Sequence, residues 1–182
     1  MASAHANEDL AALVRTIPDY PSPGILFRDV STLMLDGEAF RATIDRLAEC
    51  VADRSFDLIA GIEARGFVFA SALAYKLGLG KLMLRKRGKL PGACVGVDYD
   101  LEYGTDRIEM HEDACGQGSH VLLVDDLLAT GGTALAAVSL LRGRGAEVST
   151  AAFVIDLPDL GGAERLAAQG IAPRSLFAFA GH

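Results

Sequence analysis

Short unbroken aliphatic runs alternate along the chain with longer stretches in which apolar positions recur at helical spacing. The runs DLIAGI (57–62), KLMLR (81–85), HVLLVDD (120–126), EVSTAAFVIDL (147–157) and SLFAFA (175–180) predict strands. FVFASALAYKLG (67–78) predicts the helix after the first of them. TALAAVSLLRGRG (133–145) predicts another, with Leu135, Val138 and Leu141 at spacing three and Gly143 or Gly145 near its end. DGEAFRATIDRLAECVADR (36–54) is an amphipathic helix with a structural role. Strands without a polar face, joined by helices, imply a parallel sheet covered on both sides, an α/β fold.

Two stretches break the rhythm. IPDYPSPGILFRDVSTL, rich in Pro and Gly, predicts a surface loop after a short first helix. GVDYDLEYGTDRIEMH (96–111) alternates weakly on both sides of EYGTD and predicts a β-hairpin arm. No linker divides the chain, so a single domain over 1–182 is expected.

Composition narrows the function classes. With 182 residues and 51% apolar side chains, the chain can bury a core without staples. A net charge of −7 argues against a general nucleic-acid binder. Cys50, Cys94 and Cys115 are odd in number and far apart, which suggests neither a disulfide framework nor zinc. His5, His111, His120 and His182 show no metal-ligand spacing. MASAHANEDLAALV carries no basic leader, and the longest apolar run (67–75) is far shorter than the ~20 residues of a membrane helix. No membrane association and a cytoplasmic location are expected.

The chemistry gathers at HVLLVDDLLATGGTA (120–134). A Walker-type loop fails on residue identity: Gly80-Lys81 and Gly88-Lys89 are each followed by Leu, and no GxGxxG follows a strand. What remains is a strand, Asp125-Asp126, the loop Ala129, Thr130, Gly131, Gly132, Thr133, and a helix. This is the ligand end of an open α/β sheet. Gly131 and Gly132 let the backbone take φ > 0 and approach a ligand. Freed N–H groups, the Thr130 and Thr133 hydroxyls and the helix N-terminus can hold a phosphate. Carboxylates repel phosphate, so Asp125 and Asp126 face something else. Ribose hydroxyls are donors that carboxylates accept, and Mg²⁺ can share them. A 5-phosphoribosyl group meets both requirements. The bland alternative is a capped strand and a plain turn.

VLLVDDLLATGGTA resembles the phosphoribosyl-pyrophosphate motif of the type I phosphoribosyltransferases, and LLATGGT the adenine branch of that family. Three further stretches match in order, over roughly residues 15–166. GIEARGF (61–67) resembles the family's pyrophosphate loop, which implies a diphosphate-binding and catalytic role for Arg65. RKRGKLPG (85–92) concentrates Arg85, Lys86, Arg87 and Lys89 in an acidic chain. The resemblance makes Arg85, Lys86 and Lys89 diphosphate contacts, some reaching across a dimer interface; a solvated basic turn or an RNA contact is the alternative. DLEYGTD (100–106) resembles the flexible catalytic arm (about 96–111), with Glu102 as acid/base and Tyr103 beside the diphosphate. PSPGILFRD (21–29) resembles the adenine-binding hood (mainly 17–34). Phe27 would stack on the purine, and the main chain of Leu26 and Arg28 would pair with its edge. Asp156 stands where the family pattern leads one to expect Glu, and the chain after about Gly170 carries little signature.

The resemblance implies a purine-salvage transferase that converts adenine and 5-phosphoribosyl 1-pyrophosphate to AMP and pyrophosphate. Mg²⁺ would be held mainly by the donor's diphosphate and ribose near Asp125 and Asp126, and the enzyme would be a homodimer. Two alternatives stay open: the same chemistry on another purine base, and a non-catalytic sensor of the donor. A sensor would need a DNA-binding segment, for which the residues before the hood leave no expected room.

Overall fold

A computed structural model of the chain describes residues 7–100 and 104–181. Helix α1 (Glu8–Ala11) is followed by strands β1 (Arg15–Pro18) and β2 (Leu26–Asp29), helices α2 (Ser31–Leu35) and α3 (Gly37–Cys50), and strand β3 (Leu58–Ile62). Then come α4 (Gly66–Leu77), β4 (Gly80–Lys86), β5 (Cys94–Asp100), β6 (Thr105–His111), β7 (His120–Leu128) and α5 (Gly132–Gly143). The chain continues through β8 (Glu147–Asp156), a 3-10 turn (Pro158–Leu160), α6 (Gly162–Ala168) and β9 (Ala172–Ala178).

Strands β3 to β9 form one seven-stranded sheet in the order β5-β6-β4-β3-β7-β8-β9. Its β4-β3-β7-β8-β9 portion is parallel, as expected. The hairpin of β5 and β6 joins its edge antiparallel to β4, so the sheet is mixed. Strand side chains alternate between faces, which explains the unbroken aliphatics of β7. Val121 and Leu123 enter the core under α5 and α6, beside Ala137, Leu141 and Leu166. Leu122 and Val124 enter the core under α3 and α4, beside Leu47, Phe69 and Leu73. Leu122 and Leu123 are fully buried, and each such side chain contributes about 1.5–3 kcal/mol of transfer free energy.

Helix α3 starts where Asp36 accepts the N–H groups of Glu38 and Ala39, both at 3.0 Å, and stops at Cys50, four residues short of the sequence expectation. Gly78, in the left-handed region at φ 68°, closes α4. Strand β9 begins earlier than expected and contains Pro173. It is an edge strand, where a missing N–H is tolerated. The larger departure is near the N-terminus. The expected loop contains an antiparallel ribbon, with Pro18 opposite Leu26 and Thr16 opposite Arg28, followed by the short helix α2. Strands this short have no periodicity to betray them, and Pro and Gly between them mask the pairing.

Cys50, Cys94 and Cys115 are free thiols. Among the described residues, no helix is long and apolar enough to cross a membrane.

Candidate active site

The site lies where the parallel strands end. β7 does not stop at its acidic pair but runs on through Leu127 and Leu128, which pair with Ile155 and Asp156 of β8. The carboxylates therefore sit inside the strand's last turn of pleat. Beyond it, Gly131 adopts φ 81° as the N-cap of α5, and its carbonyl accepts the Leu135 N–H at 2.9 Å. Gly131 alone uses the left-handed region. Gly132 is the first helical residue, so the expectation of positive φ at both glycines holds only for Gly131. Ala129, Thr130, Gly131, Gly132 and Thr133 line a cradle of about 110 Å³ at the start of α5, with Asp125 at its edge. Backbone amides at a helix start favour an anion there.

A larger cavity of about 330 Å³ adjoins it, lined by Glu63, Arg65, Lys86, Tyr99, Asp106, Asp125, Asp126 and Thr133 among others. Thus the GIEARGF turn, the basic turn, the hairpin and the acidic pair, read separately in the sequence, share one hollow. The Glu63–Ala64 peptide in its wall is cis.

The two aspartates differ. Asp126 is buried and its carboxylate accepts a hydrogen bond from Arg65 Nε. Asp125 borders both hollows, and its Oδ1 accepts the Asp126 N–H at 2.9 Å. Burial, reinforced by the neighbouring Asp126 charge, pushes the Asp125 carboxyl well above the ordinary carboxylate range. A close helix start is part of this burial: a Cβ on Gly66 would lie 2.5 Å from Asp125 Oδ1.

The expected diphosphate cations are already engaged. Besides Arg65 with Asp126, Arg85 forks onto Glu63 at 2.9 and 3.3 Å and donates to the Lys89 carbonyl at 2.8 Å. That contact holds the Glu63 carboxyl below its usual range. Lys86 Nζ lies 3.0 Å from Asp106 Oδ2, which raises the amine's affinity for its proton. The Lys89 N–H donates to the Lys86 carbonyl at 3.2 Å, closing the basic turn.

The ribbon brings Phe27 to the same place. Its ring centroid lies 5.1 Å from Arg65 Cζ and packs edge-on against Tyr20 at 5.2 Å. Opposite Leu26 stands Pro18, which has no N–H to offer the Leu26 carbonyl. The Arg28 side chain donates to Thr16 Oγ1 at 2.6 Å and to the Ala180 carbonyl at 2.9 Å, and it stacks on Phe179 at 4.5 Å. The chain's end, which carried little signature, therefore braces the ribbon. Glu102 and Tyr103 lie outside the described residues.

Sequence reasoning missed Glu63, Tyr99, Asp106 and Gly162. Asp106 and Glu63 stood within quoted motifs, but nothing local assigns them partners. Gly162 packs beneath the cradle, where a Cβ would meet the Ala129 carbonyl oxygen at 2.2 Å. Arg165 donates to the Thr130 carbonyl at 3.2 Å from the same turn. Only the doubled glycine of LGGAERL hinted at this contact.

Comparison with known proteins gives a consistent picture. The model of the phosphoribosyl transferase domain matches residues 32–166. An adenine phosphoribosyltransferase of Sphingopyxis alaskensis is 58% identical over 173 residues, covering 95% of this chain and 94% of the relative. The crystal structure of adenine phosphoribosyltransferase from Thermoanaerobacter pseudethanolicus superposes with a TM-score of 0.91 at 44% identity, covering 94% of this chain and 99% of that one. The Saccharomyces cerevisiae enzyme, solved with an imino-altritol bisphosphate and adenine, superposes with a TM-score of 0.83 at 36% identity, covering 93% and 96%.

Proposed function

We propose, from the premise that this chain belongs to the adenine phosphoribosyltransferases of the phosphoribosyl transferase domain family, that it transfers a 5-phosphoribosyl group from phosphoribosyl pyrophosphate to adenine. The products are AMP and pyrophosphate, and the role is purine salvage. The observation that carries this reading is the adjacency of the two hollows. A phosphate cradle built from backbone amides opens onto a cavity bearing Asp125, Asp126, Arg65 and Lys86.

The donor's 5-phosphate then rests on Ala129–Thr133 and its diol on Asp126, with Asp125 between diol and cradle. Its diphosphate lies toward Arg65 and Lys86, supported by the turn of Arg85 and Lys89. As the glycosidic carbon–oxygen bond breaks, negative charge grows on the diphosphate, and fixed guanidinium and ammonium groups stabilise it. Adenine N9 attacks the anomeric carbon from the other side. Phe27 and the Arg65 guanidinium bound the space for the base, and the main chain of Leu26 and Arg28 offers acceptor and donor to its edge. Such fixed groups separate an amine from a 6-oxo base, because the wrong base leaves them unpaired. Glu102 is assigned the purine proton and Tyr103 a place beside the diphosphate, both on the family pattern.

The donor set fits Mg²⁺ that arrives with the donor. Three of the cations facing the diphosphate region are each matched by a carboxylate: Arg65 by Asp126, Lys86 by Asp106, Arg85 by Glu63. A bare diphosphate therefore meets cations whose charge is already largely balanced. Among the described residues no cluster of three His, Cys, Asp or Glu forms a cage, so the ion is held mainly by donor oxygens, with Asp125 and Asp126 close by. When bound, it supplies neutralisation of the departing diphosphate.

A homodimer is the family pattern, and exposed apolar side chains on one helix and the neighbouring strand support that reading: Val68 and Tyr75 of α4 and Met83 of β4. The chain is one functional domain whose ribbon serves as the hood and whose β5–β6 hairpin is the base of the arm. Free thiols agree with a cytoplasmic location.

The deciding experiment mixes the protein with adenine, donor and Mg²⁺ and follows AMP and pyrophosphate. A sensor makes neither. Competition from hypoxanthine, guanine and xanthine in the same assay fixes the base: AMP formation undisturbed by equimolar 6-oxopurines supports adenine, and preferred consumption of one of them refutes it.

A further inference from the structure

Two carboxylates lining the diphosphate cavity, Glu63 and Asp106, have no part in the transfer reaction, and Asp106 is the one that holds Lys86. Asp106 on β6 stands directly across from Tyr99 on β5. Its Oδ1 accepts the Arg107 N–H at 2.8 Å, and its Oδ2 receives Lys86 Nζ at 3.0 Å. The Tyr99 hydroxyl donates to the same Oδ2 at 3.3 Å, and Tyr99 lines this cavity together with Thr133 at the start of α5. The Asp106 side chain is 20% exposed and that of Lys86 60%, so the carboxylate is the fixed partner and the amine the movable one. A carboxylate oxygen and a diphosphate oxygen offer an ammonium the same kind of charge-assisted bond. With the donor's diphosphate in this hollow, the two would compete for one amine.

We propose that Asp106 is a built-in competitor for Lys86. In the free protein it holds the amine at the mouth of the diphosphate site, and an incoming diphosphate must displace it. When pyrophosphate leaves, Asp106 takes the amine back, which weakens product retention. Tyr99, directly across the hairpin, keeps the competitor in place through its hydroxyl bond to Oδ2. Asp106 acts through Lys86 and is a positioning residue. The inference rests on the transferase reading of the same site.

The competitor role predicts a gain where structural damage predicts a loss. Asp106→Asn keeps size and can still accept from the Arg107 N–H, but it no longer holds the ammonium as an ion pair. Titration calorimetry with inorganic pyrophosphate and Mg²⁺ should show binding tighter by roughly two- to fivefold, the range set by partly exposed ion pairs. The KM for the donor should fall in parallel. The tightening should shrink in a Lys86→Met background, because the contested amine is gone. Pyrophosphate binding that is unchanged or weaker in a folded Asp106→Asn variant overturns the inference. If that variant does not fold, Tyr99→Phe carries the test: it keeps both charges, removes that hydroxyl bond, and should tighten pyrophosphate by a smaller factor, and unchanged or weaker binding overturns the inference. The titration reads this inference alone. Wild-type protein that makes no AMP would refute the transferase reading, whereas active wild type with a weaker-binding Asp106→Asn refutes only the competitor.

Discussion

Gly162→Ala tests whether the phosphate cradle is shaped by a residue thirty positions downstream of it. Gly162 begins α6, and its α-carbon faces the loop directly: an added Cβ would lie 2.2 Å from the Ala129 carbonyl oxygen and 3.0 Å from Leu128 Cγ and Cδ1. The Leu128 side chain can rotate away. The carbonyl cannot, because Ala129 directly follows the strand on one side and leads through Thr130 to Gly131, at φ 81°, on the other. Restoring ordinary contact requires the loop backbone to retreat by about 1 Å, a displacement that costs on the order of 10²-fold when it misplaces reacting groups. The expected loss is therefore about 10²-fold in kcat/KM for the donor. Overpacking of this kind also costs about 1–3 kcal/mol in stability. At about 2–4 °C per kcal/mol for a chain of this size, that lowers Tm by roughly 2–12 °C. Gly161→Ala is the control. Gly161 has φ 71° but open space, with Glu164 Oε2 nearest at 3.7 Å, so alanine should cost roughly 1–2 kcal/mol of backbone strain and leave kcat/KM for the donor near wild type. Steady-state kinetics against donor concentration and scanning calorimetry on both variants read the two effects separately. If Gly162→Ala keeps wild-type kcat/KM, the contact does not shape the cradle and the argument fails.

Asp126→Asn removes a charged acceptor for the ribose diol, and donor affinity should drop by roughly 10- to 100-fold, the range for hydrogen bonds to charged groups; equal affinity by calorimetry would remove Asp126 from the donor site. Asp125 titrates above its ordinary 3.8 in the folded protein, so its contribution to stability is fully present below the unfolded value and is lost as pH rises through the raised value. Asp125→Asn should therefore gain in Tm relative to wild type as pH increases from about 4 to about 8, and a constant difference across that range contradicts the assignment. Glu102→Gln should lower kcat by about 10²–10⁴-fold with donor affinity retained, and parallel loss of both would take Glu102 out of the proton transfer.

How far the chain announces its structure depends on how local each determinant is. Burial on both faces leaves an unbroken aliphatic run wherever it occurs, so β3, β4, β7 and β8 are legible within a residue or two, as are helices α4 and α5. The cradle is equally local: five consecutive residues supply amides, hydroxyls and the Gly131 turn, and the acidic pair lies on the strand that feeds it. The ribbon of β1 and β2 is not legible, because four-residue strands carry no period and their pairing bridges a Pro-rich loop. The pairs that tune the site are likewise silent in the sequence. Glu63 finds Arg85 because β3 and β4 are parallel neighbours, and Asp106 finds Lys86 because the hairpin adds to the edge beyond β4. Gly162 meets Ala129 because Asp156 pairs with Leu128 and delivers the next turn beneath the cradle. Sequence alone, then, determines which segments are buried, which residue types gather at the strand ends, and the family. Tertiary structure decides which charge each cation holds and how closely two backbones approach, because both depend on sheet order and packing distance, which no local pattern encodes.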